Sequence, residues 1–181
     1  MSKRFLLGAA LIAAGAFNAR AFELKSPDVA EGGAIPMKFA YHGYGCVGEN
    51  LSPALNWRDP PKGAKSFALL MRDPDAPVGG EGFAHWTVFN IPPSATFLPQ
   101  GAGTGRGLPA GAAQAANDFG GVGYGGPCPP RGAGPHHYRF TLYALNASRL
   151  DLRPGASPVR AQAMIEAHAL GKATFTAVFG R

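Results

Sequence analysis

Short apolar runs separated by clusters of glycine and proline are the feature that most restricts how this chain can fold. The 181 residues include 26 glycines and 17 prolines, and the runs between these clusters have the length and composition of β-strands. Five strands are predicted, at residues 37–41, 66–71, 85–91, 138–145 and 173–179. In the run 138–145 both faces are largely apolar, which is typical of a strand inside a β-sandwich. We therefore predict a mainly β fold.

One helix is predicted near residues 158–170. Ser157 is a favourable N-cap, Pro158 suits the first helical position and Gly171 is a natural C-terminal stop. The predicted buried stripe comprises Val159, Ala163, Met164, Ile165 and Leu170. His168 is then expected near the end of the helix as a surface residue.

The N-terminus has the pattern of an export signal. Two basic residues precede an apolar run at residues 5–17, and the sequence Ala-Arg-Ala that ends at residue 21 is typical of a signal peptidase site. The run is too short to span a bilayer comfortably, and a retained N-terminal anchor is the alternative. We predict a signal peptide at residues 1–21, a single domain at 22–181, and a periplasmic or secreted location.

Much of the positive charge belongs to this leader. Cleavage removes three basic residues and no acid, so 17 basic and 11 acidic residues become 14 and 11, and the net charge falls from +6 to +3. The remaining chain has no cluster of Lys and Arg interleaved with aromatic residues. These observations argue against nucleic acid as a partner.

Two cysteines, Cys46 and Cys128, lie in the predicted domain. An even number of cysteines in an exported chain favours a disulfide. The bond would close a loop of about 80 residues and stabilise the fold by about 4 kcal/mol in the chain-entropy model. Two buried free thiols are the alternative.

Residues 101–135 differ from the rest of the chain because they hold 12 glycines and 5 prolines. Such a composition is typical of a low-complexity linker. The segment also contains Asn117, Asp118, Phe119 and Tyr124, and it leads into a predicted strand. We interpret it as a long ordered loop, and such loops in compact domains are usually functional.

Three segments carry polar side chains suited to a binding site, and each lies beside the end of a predicted strand. They are residues 72–77, 83–86 and 125–138. If the sheet brings them together, Asp73 supplies acceptors, His85 and His136 donate or accept near neutral pH, and the glycines expose backbone N–H groups. Prolines stiffen the walls. This combination predicts a pocket for a small anion, with affinity rising as histidines protonate below about pH 6.5.

Other chemistries fit these residues less well. The pattern G-x-G-x-x-G at residues 121–126 is followed at once by prolines rather than by a helix, so a dinucleotide site is not supported. Cys128 and His136 could form a thiol nucleophile and base, but a disulfide would remove that nucleophile. A metal site built from Asp73, His85 and His136 lacks a recognised ligand spacing. We predict no cofactor, no metal and no enzymatic activity.

Five sequence blocks resemble the phosphatidylethanolamine-binding protein family, also called the Raf kinase inhibitor protein family, and in particular its short bacterial branch. In chain order they are NLSPALNW at 50–57, DPDAP at 73–77, AHWTVFNIP at 84–92, NDFGGVGYGGPCPP at 117–130 and HHYRFTLYAL at 136–145. The match covers nearly all of the predicted mature chain. The resemblance implies a β-sandwich with a few short peripheral helices and a pocket for phosphate-type anions at the edge of a sheet.

The resemblance also implies, by position, which residues bind the ligand. They are Asp73, Pro77, His85, Cys128, Pro130, His136 and Tyr138. Asp75 is expected to support the rim of the pocket, and a Cys46–Cys128 disulfide to pin two rim loops together. Eukaryotic relatives have a further C-terminal helix over the pocket, so a more open site is expected here.

The leading hypothesis is therefore an exported protein that binds a small anion such as phosphate, a phospholipid head group or a carboxylate. One alternative is an inhibitor that contacts a protease or kinase as its protein target. Another is a hydrolase that uses Cys128 or a bound metal. Membrane association is expected to be at most peripheral, and the resemblance to bacterial members implies a homodimer.

Overall fold

The computed structural model of the protein describes residues 20–76 and 82–181. Within them lie ten β-strands, one α-helix and two short 3-10 helices. In chain order the strands are β1 Glu23–Lys25, β2 His42–Gly43, β3 Cys46–Val47, β4 Leu55–Arg58, β5 Ser66–Asp73, β6 Phe83–Ile91, β7 Phe97–Leu98, β8 Ala113–Gln114, β9 His136–Leu145 and β10 Ala169–Phe179. Helix α1 spans Pro158–Ala167, and the 3-10 helices span Met37–Phe39 and Ala102–Thr104. The predicted mainly β fold is confirmed.

Two antiparallel sheets form the body of the protein. The larger has the strand order β10-β9-β5-β6-β8, the smaller has the order β1-β4-β7, and β2 and β3 form a separate hairpin. Side chains from both sheets meet in the main core, for example Trp57 from β4, Phe67 from β5 and Phe140 from β9. The architecture is therefore a β-sandwich, in which each sheet buries one apolar face against the other.

Strand β9 is buried on both faces for most of its length. Phe140 and Leu142 belong to the main core, whereas Tyr143 and Leu145 belong to a second apolar cluster that includes Ile165 of α1. The two apolar faces predicted for residues 138–145 are thus confirmed. The second cluster shows that α1 covers part of the outer face of the larger sheet.

Helix α1 begins as predicted but ends earlier. The hydroxyl of Ser157 accepts a hydrogen bond from the backbone N–H of Arg160 at 3.4 Å, as an N-cap does. The helix ends at Ala167, and residues 169–171 instead start β10, which contains a register shift between Ala169 and Gly171. Pairing of β10 with β9 over ten residue pairs outweighs the helix propensity of these residues.

The predicted buried stripe of the helix is largely wrong. The side chains that α1 buries are Ala161 and Ile165, whereas Val159 is 76% exposed and Leu170, now in β10, is 44% exposed. The helix is rotated so that its small alanine faces the sheet. His168 lies directly after the helix as expected, where its Nδ1 is 3.2 Å from Oδ1 of Asn146.

The strand predicted at residues 37–41 is also wrong. Its first half is the 3-10 helix Met37–Phe39, which begins after Pro36 with a bond from Phe39 N–H to the Pro36 carbonyl at 3.0 Å. Phe39 is fully buried. The apolar content of this run reflects a buried turn, because its backbone bonds to nearby loops rather than to a ladder.

The predicted signal peptide lies almost entirely outside the described residues, which begin at residue 20. In the part of the chain that the structure describes, no helix combines the length and the hydropathy required to cross a membrane.

Candidate ligand-binding site

A cavity of about 230 Å³ lies where β5 ends and where β6 and β9 begin. Because β5 is antiparallel to both neighbours, its C-terminal end meets their N-terminal ends at one edge of the sheet. The lining residues are Asp73, Ala76, Phe83, His85, Phe119, Cys128, Pro129, Pro130, His136 and Tyr138. Six of the seven residues proposed as ligand contacts therefore line one cavity. The seventh, Pro77, lies outside the described residues.

Asp73 lies at the base of this cavity with both carboxylate oxygens engaged. Oδ1 accepts hydrogen bonds from the backbone N–H groups of Asp75 and Ala76 at 2.9 and 3.1 Å, and Oδ2 is 2.7 Å from Nδ1 of His136. Asp73 is only 2% exposed. Because a carboxylate accepts, Nδ1 of His136 carries the hydrogen, and Nε2 is the ring nitrogen left for a ligand.

Asp75 forms a parallel pair outside the cavity. Its Oδ2 accepts hydrogen bonds from the backbone N–H of His137 at 2.7 Å and from Nδ1 of His137 at 2.8 Å. These bonds, the backbone bond foremost, hold the pKa of the Asp75 carboxyl below its ordinary value. Asp75 does not line the cavity. Its position matches the expected support of the rim.

His85 is held in one tautomer by the glycine-rich loop. Its Nδ1 lies 2.6 Å from the carbonyl oxygen of Gly125, which can only accept, so the hydrogen is on Nδ1. Burial lowers the pKa of His85 from 6.5 to about 4, although the nearby charges of Asp73 and Asp118 oppose the shift. At neutral pH this imidazole is therefore uncharged and its Nε2 is an acceptor. The expected titration near pH 6.5 is corrected for this residue.

Tyr138 contributes a buried hydroxyl. The residue is 0% exposed, and its Oη makes no hydrogen bond of ordinary geometry within residues 20–76 and 82–181, although the Asp73 carboxylate lies beside it. Burial, reinforced by the nearby Asp73 carboxylate, raises the pKa of Tyr138 above its ordinary value. The phenol therefore keeps its proton and is available as a donor to a ligand.

Two aromatic residues complete the wall, and the sequence interpretation did not assign them to the site. The ring of Phe119 lies 4.6 Å from that of Phe83 and 5.6 Å from that of His85, and it stacks on Tyr41 at 4.0 Å. Phe83 could have been found from strand alternation, because it is two residues before His85 on β6 and faces the same side. Phe119 lies within one of the recognised blocks but carries no polar signal. Ala76 and Pro129 were also missed.

The glycine-rich loop is ordered by specific contacts rather than being a linker. Asn117 bonds the loop internally, since its Oδ1 accepts from the N–H groups of Phe119 and Gly121 and its Nδ2 donates to the Gly123 carbonyl. Gly126 donates to Oδ1 of Asn50 at 2.7 Å. A Cβ at Gly126 would lie 2.2 Å from the Phe39 carbonyl oxygen. Only glycine allows this close approach, so the loop packs directly on the backbone beneath it.

Two rim loops are joined by a disulfide. The predicted Cys46–Cys128 bond is present, with a Cα–Cα distance of 6.0 Å. Arg181 reinforces it by donating from Nε to the Pro129 carbonyl at 2.6 Å and from Nη1 to the Gly45 carbonyl at 2.7 Å. The cavity therefore faces a disulfide sulfur at Cys128 rather than a thiol. As expected for this bond, the nucleophile of the thiol-hydrolase alternative is removed.

The histidines and acids of the cavity bond to partners of their own. Within the described residues, no three His, Cys, Asp or Glu side chains are grouped as metal ligands would be. Asp73 and His136 contact each other instead. The arrangement is that of a small, stiff, largely aromatic cavity with a hydroxyl donor and two imidazoles.

A family model described as phosphatidylethanolamine-binding protein matches residues 25–180 of the chain. The chain belongs to the phosphatidylethanolamine-binding protein family. The resemblance inferred from the five sequence blocks is thus confirmed, and the match extends over both sheets and the cavity.

Bacterial members of the family are similar to this one in sequence and in structure. YbcL of Escherichia coli is 42% identical over 164 residues, which cover 90% of this chain and 89% of YbcL. The crystal structure of YbcL matches with a TM-score of 0.85 at 41% identity over 88% of this chain and 98% of that one. A phosphatidylethanolamine-binding protein homologue from Chlamydia trachomatis matches with a TM-score of 0.74 at 30% identity over 89% and 98%.

A relative from Mycobacterium tuberculosis, LppC, is named as a lipoprotein. It is 42% identical over 156 residues, which cover 86% of this chain and 71% of LppC.

Proposed function

We propose that this protein is an exported binding protein whose cavity takes a small oxyanion, such as phosphate, the phosphate of a phospholipid head group, or a carboxylate. The observation that carries the proposal is the Tyr138 hydroxyl, which is buried on the wall of the cavity beside Asp73 and makes no hydrogen bond of ordinary geometry within the described residues. A buried hydroxyl without a partner lowers stability. A ligand oxygen that accepts a hydrogen bond from the hydroxyl would remove that penalty.

The imidazoles define what the anion must supply. With their Nδ1 atoms bonded to Asp73 and to Gly125, His136 and His85 each present Nε2. In the neutral form Nε2 accepts, so a fully ionised oxyanion is bound only when a proton is taken up at one of these nitrogens. A monoprotonated phosphate supplies that proton itself. We therefore propose that binding of a fully ionised oxyanion is coupled to proton uptake at a cavity imidazole.

Rigidity favours binding of a small ligand in this cavity. The disulfide, the Arg181 bridge and the prolines of residues 127–130 hold the walls in place before the ligand arrives. Less conformational entropy is then lost on binding, which matters for a ligand that makes few contacts.

Export is supported by three independent features. The N-terminal leader has the composition of a signal peptide, the protein contains a disulfide of the kind that persists in oxidising compartments, and the relative LppC is named as a lipoprotein. We propose a periplasmic or secreted location on this basis.

Adjacent histidines on β9 offer a matched test. His136 lines the cavity and pairs with Asp73, whereas His137 pairs with Asp75 outside it. Calorimetric titration of His136→Ala with phosphate, phosphoethanolamine and acetate should show at least about tenfold weaker binding than the parent, the loss expected for a bond to a charged group. His137→Ala should stay within about twofold because its neighbourhood is exposed.

Repeating the parent titration in buffers of different ionisation enthalpy measures the proton uptake. Net uptake is expected for acetate, which carries no proton, and not for phosphate dianion, which is already monoprotonated. Equal affinities of both histidine variants and the parent would contradict the proposed site, and binding of acetate without proton uptake would contradict the role given to Nε2.

A further inference from the structure

The outer face of the larger sheet carries a second cavity, also of about 230 Å³. It lies between α1 and the sections of β5, β9 and β10 around Arg72, Thr141 and Thr174, next to the second apolar cluster. Residues that line it alternate with those of the ligand-binding cavity: Arg72 precedes Asp73, and Arg139 follows Tyr138. Because neighbouring residues of a strand face opposite sides, the two cavities are separated by the sheet itself. We call this second cavity the outer groove.

Positive charge is concentrated in the outer groove. Arg72 and Arg139 are directly opposite each other on β5 and β9, and Lys172 enters from β10. Like charges directly opposite each other in an antiparallel pair destabilise a sheet. Arg72 has partners within the protein, among them the Gly82 carbonyl, to which its Nη1 donates at 2.9 Å.

Acids in the described part of the chain do not form ion pairs with Arg139 or Lys172. Glu166 is the acid that lines the outer groove, and its Oε1 accepts from Nε2 of Gln162 at 2.9 Å and from the Tyr143 hydroxyl at 3.4 Å. Neither Arg139 nor Lys172 forms an ion pair with a residue in ranges 20–76 and 82–181. Two cations of the outer groove are therefore open to an external partner.

Hydroxyl groups lie beside these cations. Thr174 and Thr141 line the outer groove, and their Oγ1 atoms are 3.2 Å apart in a hydrogen bond. Two hydroxyls hold two hydrogens, and the bond between them uses one. The other is available to an acceptor. Thr141 is buried to 7% exposure, so this donor is presented from the floor.

We propose that the outer groove is a second anion site, which binds a compact oxyanion of more than one negative charge, of the phosphate-ester or pyrophosphate type. The guanidinium of Arg139 offers a planar fork for two oxygens of one phosphate, Lys172 adds a mobile point charge, and the threonine pair donates from below. A site of about 230 Å³ suits a compact anion. The site is independent of the proposed function, since it shares no lining residue with the first cavity.

The test is a nuclear magnetic resonance titration of the protein with inorganic pyrophosphate at about 0.15 M salt, where attraction between distant exposed charges is largely screened. The amide signals of Thr141 and Thr174 report the outer groove, and the imidazole signals of His85 report the first cavity. Saturating shifts of both threonine amides are expected. The absence of such shifts would overturn the proposal.

Two double variants separate a site from general attraction. Arg139→Ser with Lys172→Ser should weaken the threonine response at least about tenfold, as loss of charged hydrogen bonds does. Lys62→Ser with Arg153→Ser removes the same charge from exposed positions elsewhere. This control should change the affinity that the threonine amides report by less than about twofold. Equal weakening in both would show counterion attraction only. Binding of polyglutamate but not pyrophosphate through Arg139 and Lys172 would identify an acidic-protein surface and overturn the small-anion site.

Discussion

The two acids that flank Pro74 have different partners, although they are two residues apart. Asp73 is buried and holds His136 at 2.7 Å, whereas Asp75 is exposed and holds His137 at 2.8 Å. Each acid thus takes one of two consecutive histidines from the neighbouring strand. The proline-stiffened turn sets this choice, because Oδ1 of Asp73 closes the turn by accepting from the two backbone N–H groups that follow.

The burial of His85 should make the stability of the protein depend on pH. The pKa of His85 is about 4 in the folded state and 6.5 in the reference state, so the unfolded chain binds more protons between these values. The contribution of His85 to the free energy of unfolding is then complete above about pH 6.5. It falls by about 3 kcal/mol as the pH approaches 4, and this group causes no further loss at lower pH.

Urea unfolding of the parent and of His85→Gln between pH 3.5 and pH 7.5 checks this expectation. The difference between the two curves isolates His85 from the other titrating groups, and it should shrink as the pH falls. Parallel curves would show that His85 titrates alike in both states.

Substitution of Tyr138 should change binding and stability in opposite directions. Tyr138→Phe removes a buried hydroxyl that lies beside Asp73 but makes no hydrogen bond of ordinary geometry within the described residues, so the unliganded variant should be at least as stable as the parent, by up to about 1 kcal/mol. Its affinity for phosphate should fall about tenfold. Unfolding and calorimetric titration measure the two quantities. A variant less stable than the parent would mean that the hydroxyl bonds the Asp73 carboxylate in the unliganded protein.

At the scale of elements, the register of β5 against β9 assembles the site. Arg72 and Arg139 are opposite each other, so Asp73, the next residue of β5, lies opposite Tyr138 of β9. The Asp73 carboxylate also reaches His136, which lies two residues before Tyr138 on β9. A shift of one residue in either strand would exchange the faces and place the arginines in the cavity. The buried pattern of β5 prevents such a shift, since seven of its eight residues are buried.

The glycine-rich loop should tolerate a methyl group at one position and not at another. In Gly126→Ala the new Cβ would lie 2.2 Å from the Phe39 carbonyl oxygen, and the variant should lose at least about 2 kcal/mol of unfolding free energy through overpacking. In Gly121→Ala the nearest contact is 3.6 Å to Nδ2 of Asn117, and the change should be within about 0.5 kcal/mol. Denaturant unfolding measures both. Similar losses in both variants would show that the loop does not pack on residue 39.

Across the whole molecule, the disulfide joins residues 82 positions apart. Closing a loop of this length removes conformational entropy from the unfolded chain, so reduction should lower the free energy of unfolding by about 4 kcal/mol. Urea unfolding with and without dithiothreitol tests this value. A variant with Cys46→Ala and Cys128→Ala should have the reduced stability in both conditions. If reduction leaves the parent unchanged, the Arg181 bridge and the loop packing are sufficient to hold the rim.

The main strands and the start of the helix could be predicted because local composition controls them. The strands at 66–71, 85–91, 138–145 and 173–179 all exist, each within a longer strand. The run 37–41 failed because apolar content alone does not separate a buried 3-10 turn from a strand. The end of α1 failed because residues 169–171 join a ladder with β9, a contact that is distant in sequence.

By itself, the sequence determined the mainly β class and the even pair of cysteines, which follow from residue types and spacings. The family and six residues that share one cavity followed from the resemblance of five sequence blocks, and Asp73, His85 and His136 were also indicated by their residue types. Only the tertiary structure decided that His136 pairs with Asp73, 63 positions away, that His85 is buried enough to stay neutral, and that the Tyr138 hydroxyl is buried beside Asp73. Protonation and hydrogen bonding depend on which distant groups surround an atom and on how much water reaches it, and strand register sets both.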